Sequence, residues 1–494
     1  MQLRLPLRDG LPHDDAPTDL PSRRRVYVNR SLRFDLVGMV GFDMDYTLAI
    51  YRQDEMDRLS VEATANKLVE LGYPERVRAM PYRTDFPIRG LLIDRKLGNV
   101  LKMDRYRYVK KAYHGMRELS REERQQLYQR RPIKVATARY HFVDTLYALS
   151  EVAVFAAAID ALEAGNGAID YGALFDDIRR SIDLAHRDGT ILSRITAEPE
   201  RFLVRDPDLA PTLHKLRSAG KKLFLLTNSH AEYTDRVMSY LFDEVREYPS
   251  WKAFFDIIVT AACKPSFFTE TQVEFEPAEP GLGPPNGSFE RGRMYRGGCM
   301  AKFREHADVE GDQVLYVGDH IYGDVLRAKK ETAWRTAMIV QEMDHEMRVH
   351  AEMAGRFERT DELEAVSDLL YEELRVRQRE ARDIGRRLDE ARNNGGGPTT
   401  ELETRRLQHR RAIDRLKTRL RDIQRELNEL EDHIERAFHP FWGSLFKAGP
   451  EVSMFGDQVE QYACLYTDRV SNLLHYSPLH FFRSPRDRMP HELY

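Results

Sequence analysis

Two carboxylates two residues apart, Asp43 and Asp45, stand in the stretch Phe42-Asp43-Met44-Asp45-Tyr46-Thr47. The apolar run before them, Leu36-Val37-Gly38-Met39-Val40-Gly41, predicts a buried strand that ends where the carboxylates begin. At such a junction the first carboxylate can attack an electrophile or hold a divalent cation, and the second can pass protons. The pair also occurs in ordinary acidic loops, where it only ends a strand with solvated charge. Its meaning depends on what the rest of the chain brings beside it.

Three more polar clusters follow predicted strands. Lys222–Leu226 ends at Thr227-Asn228-Ser229 and a helix. Phe255–Thr260 ends near Lys264-Pro265. Gln313–Val317 ends in Gly318-Asp319-His320-Ile321-Tyr322-Gly323-Asp324 and a helix, and Trp334–Val340 supplies a fourth strand. Strands alternating with helices predict an α/β fold with a doubly wound parallel sheet, whose ligands bind outside the C-terminal strand ends. Joined as one site, Asp43 is the candidate nucleophile and Asp45 the candidate general acid and base. Thr227 and Asn228 offer donors to phosphate oxygens near a helix start, and Lys264 a fixed positive charge. Asp319 and Asp324 add carboxylates. That much negative charge in one place calls for a cation, and hard oxygen donors suit Mg²⁺. The inventory is that of phosphoryl transfer. Elsewhere, Arg179, Asp183 and His186 fall at i, i+4 and i+7 and share one helix face. Such a stripe is a solvated face with an ion pair unless it overlooks the carboxylates.

The chain has 494 residues, enough for two to four structural units. A net charge of −4 argues against nucleic acid or an anionic membrane as the main partner. Three dispersed cysteines, with no CxxC, point to a reducing compartment. No apolar run reaches the length of a membrane span, and the N-terminus lacks a signal-type core. A cytoplasmic protein is expected. Residues 1–25 read as a loose tail ending in Arg23-Arg24-Arg25, and 26–55 with 205–360 as the catalytic core. Within that core, 277–298 is a Pro/Gly-rich loop or hairpin insertion. Residues 56–204 read as an insert, with a hairpin around Lys96-Leu97-Gly98 and apolar helices near 142–163. From 361 to 437 heptad spacing takes over: Ala381, Ile384, Leu388 and Ala391, then Ile413, Leu416, Leu420, Ile423, Leu427, Leu430 and Ile434. With the break at Asn393-Asn394-Gly395-Gly396-Gly397-Pro398, this predicts an antiparallel coiled-coil hairpin. Residues 438–494 should pack on an earlier domain.

The four clusters resemble the motifs of the haloacid dehalogenase (HAD) phosphatases. The chain is more narrowly similar to the cytosolic IMP/GMP-specific (type II) purine 5′-nucleotidases. Val28-Asn29-Arg30-Ser31-Leu32, Phe86-Pro87-Ile88-Arg89-Gly90-Leu91, Tyr295-Arg296-Gly297-Gly298, Gly443-Ser444-Leu445-Phe446 and Met489-Pro490-His491-Glu492 extend the likeness over about 26–492. The resemblance implies a Rossmann-like core with an inserted α+β cap and an aspartyl-phosphate intermediate. It implies Mg²⁺ held by Asp43, the Asp45 carbonyl and Asp319, with Asp324 as the fourth motif's second carboxylate. Arg179, Asp183 and His186 would recognise the base of a purine nucleoside monophosphate, Tyr147 would stack on it, and Asn228 and Ser229 would line the substrate. Transfer of the phosphoryl group to a nucleoside, and a homo-oligomer such as a tetramer, come with the same resemblance. Two departures stand out. Leu192 replaces a nucleotide-contacting lysine. Asp144 replaces a neutral amide in an effector site that Tyr322 and Lys330 otherwise match, so weak or absent activation by ATP is expected. The competing readings are a HAD phosphatase for another phosphorylated metabolite and an inactive HAD-like scaffold whose coiled coil binds a partner.

Overall fold

The computed structural model describes residues 20–128, 132–165, 168–242, 248–278, 288–307, 311–393, 399–485 and 492. The far N-terminal tail, the middle of the 277–298 segment, the 394–398 break and residues 489–491 lie outside the described residues. Two compact units emerge, one of residues 1–344 with 445–494 and one of residues 345–444.

The larger unit is built on a nine-stranded sheet among the described residues. Its order is Tyr27–Val28, Leu465–Thr467, Arg335–Ile339, Val314–Gly318, Met39–Phe42, Lys222–Leu226, Ile257–Thr260, Met294–Gly297 and Phe275–Pro277. The seven inner strands run parallel and the two outermost antiparallel to their neighbours. All four residues of Met39–Phe42 are buried, as a strand covered on both faces requires. Gly41 lets this happen: a Cβ there would lie 2.0 Å from the Phe224 ring, which crosses the strand and stacks on Tyr316. The strand starts later than its apolar run. Phe34–Leu36 coils into a 3₁₀ turn with Leu36 exposed, because the Lys221 ammonium donates to the Phe34 and Val37 carbonyls at 2.6 and 2.7 Å.

Four strands join the sheet that apolar patterning did not put there. Met294–Gly297 and Phe275–Pro277 form a hairpin on one edge, so the 277–298 segment contributes a core strand. Leu465–Thr467 and Tyr27–Val28 complete the other edge. These strands are only two to four residues long, too short to show a period of two. Arg24, in the basic run, pairs with Asp208 at 3.0 Å.

Between Tyr51 and Leu203 the chain leaves the core and returns. Ile50–Tyr51 and Leu203–Val204 pair antiparallel, so exit and re-entry lie side by side. The excursion contains helix Gln53–Glu70 and a five-stranded antiparallel sheet with the Leu91–Asp94 and Asn99–Met103 hairpin at its centre. Tyr140–Val143 closes that sheet as a strand, where the sequence suggested helix. Helices Leu149–Glu163 and Tyr171–Arg187 follow. The second buries Leu174, Phe175, Ile178, Ile182 and Ala185 at helical spacing and starts on the Asp170 carboxylate, which accepts from Ala173 N–H at 3.0 Å.

In the smaller unit, helices Ala354–Asn393 and Thr400–Phe438 run antiparallel, as the cross-pairs Arg359–Glu426, His409–Glu380 and Arg392–Glu403 require. Ile384 and Leu388 meet the seam with Leu420, Ile423, Leu427 and Ile434, all buried. Leu363 and Leu374 extend it on the first arm beyond the heptads seen in sequence.

Asp57, on Gln53–Glu70, is buried with one oxygen unpartnered, and burial pushes its carboxyl up to about 8. A folded pKa above the unfolded one favours the fold at low pH and loses that advantage as pH rises through 8. Asp57→Asn should therefore come closest to the wild type at or below about pH 4, where both states are protonated, and exceed its Tm by several degrees at pH 9, as followed by thermal unfolding at both pH values.

Candidate active site

Each polar cluster sits where a parallel strand ends. Asp43 follows Met39–Phe42, Thr227 follows Lys222–Leu226, Lys264 lies beyond Ile257–Thr260, and Asp319 follows Val314–Gly318. Lys264 is the centre of the arrangement. Its buried ammonium lies 2.9 Å from Asp43 Oδ1, 2.7 Å from Asp324 Oδ1 and 3.0 Å from the Tyr316 hydroxyl. Burial alone would lower the Lys264 pKa, but Asp324 and Asp43 together hold it well above the ordinary lysine value. Asn228 fixes the lysine backbone: its amide donates to the Lys264 carbonyl and accepts from the Lys264 N–H, at 3.0 and 2.6 Å. The side chain expected to line the substrate thus also braces Lys264. Gly318 lets Asp324 approach, since a Cβ there would lie 2.5 Å from the Asp324 Cβ.

Asp43, Asp319 and Asp324 gather carboxylate oxygens within 4.8 Å of one another. One ammonium serves two of them, and Asp319 Oδ2 is buried with no hydrogen-bond donor. Burial, opposed by Lys264 and reinforced by Asp324, pushes Asp43 up to about 7; burial and then Asp324 push Asp319 well above the carboxylate range. Two uncompensated charges and an orphaned hard oxygen fit a divalent cation, which would return these groups to their ionised forms. Asp43, Asp319 and Asp324 could hold it through their side chains. The Asp45 carboxylate is turned elsewhere: Oδ1 accepts from Tyr51 at 2.5 Å and Oδ2 from Ser229 at 2.6 Å.

Asp43, Asp45 and Asp319 open on a cavity of about 610 Å³ that is also lined by Tyr147, Arg179, Asp183 and His186. The polar stripe of Tyr171–Arg187 therefore does overlook the carboxylates. The Tyr147 and His186 rings stand 4.7 Å apart, in contact with each other. They form a single aromatic wall, because a base held between two rings needs about 7 Å. Burial lowers His186 to about 4, so it is neutral at pH 7. Leu192 lines the same cavity, as does Asp144, 3.7 Å from His320.

Several site residues escaped sequence reading. Glu151 lies on the cavity wall with its Oε2 3.6 Å from Arg179 Nε, and burial pushes its carboxyl up to about 7. The signal was available: it is a lone acid inside the apolar Leu149–Ile159 run. Arg89, fully buried, donates to the Asp319 carbonyl at 2.9 Å and clasps Glu342 through two bonds of 2.7 and 2.5 Å. Tyr51 and Tyr233 stand behind Asp45, and nothing in their spacing marks them.

The 5′ nucleotidase family model matches residues 26–494. A 5′-nucleotidase domain-containing protein of Dictyostelium discoideum is 28% identical over 94% of this chain and 74% of its own length. The human 5′-nucleotidase domain-containing protein 2 is 29% identical over 66% of this chain and 64% of its own. The rat protein of the same name is 26% identical over 98% of this chain and 83% of its own. Among solved structures, CbbY from Rhodobacter sphaeroides with phosphate shares 13% identity and a TM-score of 0.25 over 61% of this chain and 86% of that one.

Two outcomes follow from the site's charge balance. Asp319→Asn should raise Tm in chelator, by removing a buried uncompensated carboxylate, and any Tm rise that a divalent cation gives the wild type should be lost in the variant. That rise should reach about 2.7 kcal/mol at a hundred times Kd. Arg89→Ala leaves the Asp319 carbonyl and Glu342 without their donor and should cost about 3–5 kcal/mol by urea unfolding.

Proposed function

Because this chain belongs to the 5′ nucleotidase family, we propose that it hydrolyses purine nucleoside 5′-monophosphates with Mg²⁺, preferring IMP and GMP. The observation that carries the reading is the shared cavity: Asp43, Thr227 and Asp319 line it together with Tyr147, Arg179, Asp183 and His186. A 6-oxopurine offers a carbonyl to the Arg179 donors and an N1–H to the Asp183 carboxylate. Adenine reverses both, presenting a donor to the arginine and an acceptor to the aspartate, which leaves the facing groups unpaired. Tyr147 and His186 supply a face for the base.

In the first half-reaction an Asp43 oxygen forms a bond to phosphorus as the bond from phosphorus to O5′ breaks. O5′ takes the electron pair and a proton from Asp45, and the nucleoside leaves. In the second, Asp45 takes a proton from water as the water oxygen attacks the phospho-Asp43, releasing phosphate and the free carboxylate. A nucleoside hydroxyl in place of water gives phosphoryl transfer. Lys264 and Thr227 donate to the equatorial phosphoryl oxygens. When bound to Asp43 and Asp319 side chains and the Asp45 carbonyl, Mg²⁺ supplies neutralising charge for the phosphoryl group. A general acid accounts for about 10²–10⁴ of the rate, leaving the larger share to positioning and charge.

Phosphate release from IMP, GMP, AMP and an aryl phosphate tests the reading. IMP and GMP should lead AMP by about tenfold or more, the scale a single misplaced polar contact sets, and Asp43→Asn should be inactive. Equal turnover of AMP would remove the assignment of Arg179 and Asp183; cleavage of the aryl phosphate alone would move the substrate outside nucleotides. ATP should stimulate the wild type little, since the Asp144 carboxylate would repel a phosphate-bearing effector. Asp144→Asn should respond more strongly in the same titration.

A further inference from the structure

Asp45 must act as acid and then as base in the proposed cycle, so its carboxylate has to stay aimed at the phosphoryl group in both protonation states. The chain holds it from two directions. Ser229, in the loop after Lys222–Leu226, donates to Oδ2 at 2.6 Å. The Tyr51 hydroxyl donates to Oδ1 at 2.5 Å, and it is itself 2.9 Å from the Tyr233 hydroxyl. Both tyrosines are under a tenth exposed. Tyr51 has little freedom of its own. Its backbone pairs with Leu203 at the crossing between core and insert, and its ring rests on Tyr46, centroids 4.9 Å apart. Tyr233 lies on helix Ala231–Phe242, directly after the Ser229 loop.

We infer that Tyr51 is a positioning residue for the acid and base Asp45, and that Tyr233 acts through it; the inference rests on the phosphomonoesterase reading above. The Tyr51 hydroxyl has one hydrogen and gives it to Oδ1, so Tyr233 donates to Tyr51, and the two hydroxyls form a buried relay that holds the Asp45 carboxylate from one side while Ser229 holds it from the other.

The experiment compares leaving groups. The alkoxide of a nucleoside must be protonated as it leaves, whereas 4-nitrophenolate departs without a proton. First-turnover release of nucleoside and of 4-nitrophenol isolates phosphorylation of Asp43 from the later attack of water. Tyr51→Phe should slow nucleoside release by about 10- to 100-fold, part of what a general acid contributes, with 4-nitrophenol release within about threefold of the wild type. Tyr233→Phe should do the same more weakly, and the double variant should match Tyr51→Phe alone. Equal losses on both esters would mean structural damage and overturn the inference, as would an unchanged nucleoside rate or additive effects of the two changes. Asp45→Asn separates the two readings. If it slows nucleoside release selectively and Tyr51→Phe does not, the positioning role fails alone; if it slows neither release, the acid role of Asp45 fails and the inference with it.

Discussion

Everything in the site depends on one ammonium group placed among more carboxylates than it can neutralise. Lys264 reaches Asp43 and Asp324 at once and leaves Asp319 unpaired. A buried cluster of this kind destabilises the protein by itself, because each carboxylate loses its water and gains like-charged neighbours. It persists because the surrounding framework is over-determined: Asn228 ties down the lysine backbone, Arg89 the Asp319 carbonyl, and Tyr316 the far side of the lysine and Asp324. The strain is electrostatic, and a divalent cation would relieve it. The same deficit of positive charge that costs stability gives the site its appetite for a cation.

The second constraint is division of labour between the two aspartates. They are two residues apart, yet they face different company. Asp43 faces Lys264 and the carboxylate cluster, whereas the Asp45 carboxylate accepts from the hydroxyls of Tyr51 and Ser229. A buried ammonium lies against one carboxylate and neutral donors against the other. The separation arises because Met44 and Tyr46 are buried and anchor the loop between them, with Tyr46 at a φ of +57°.

How much of this was legible in the sequence differs by element. The central strands and the residues at their ends were, because a buried parallel strand is a continuous apolar run and its end is marked by the first polar cluster. Asp43, Lys264 and Asp319 were found that way. The four short strands around Val28, Phe275, Tyr295 and Leu465 were not, since pairing in their case is imposed by tertiary neighbours and not by local pattern. The stripe Arg179, Asp183 and His186 was visible as spacing, but whether it faced water or the carboxylates depended on how the insert folds over the core. Arg89 and Tyr51 carry no periodic signal at all. Their roles come from contacts to residues 253 and 6 positions away, respectively.

The order of strands in the core sheet also bears on how the protein is made. Leu465–Thr467 lies between Arg335–Ile339 and Tyr27–Val28, so the strand nearest the start of the chain reaches the sheet only through one near its end. A ribosome delivering this polypeptide will have released Asp43, Asp45, Lys264 and the whole 345–444 unit before that strand emerges. During that interval Arg335–Ile339 presents an open edge, the feature that invites pairing with another chain. Synthesis speed and chaperone cover between residues 340 and 464 therefore bear on this enzyme's yield alongside the stability of its finished fold.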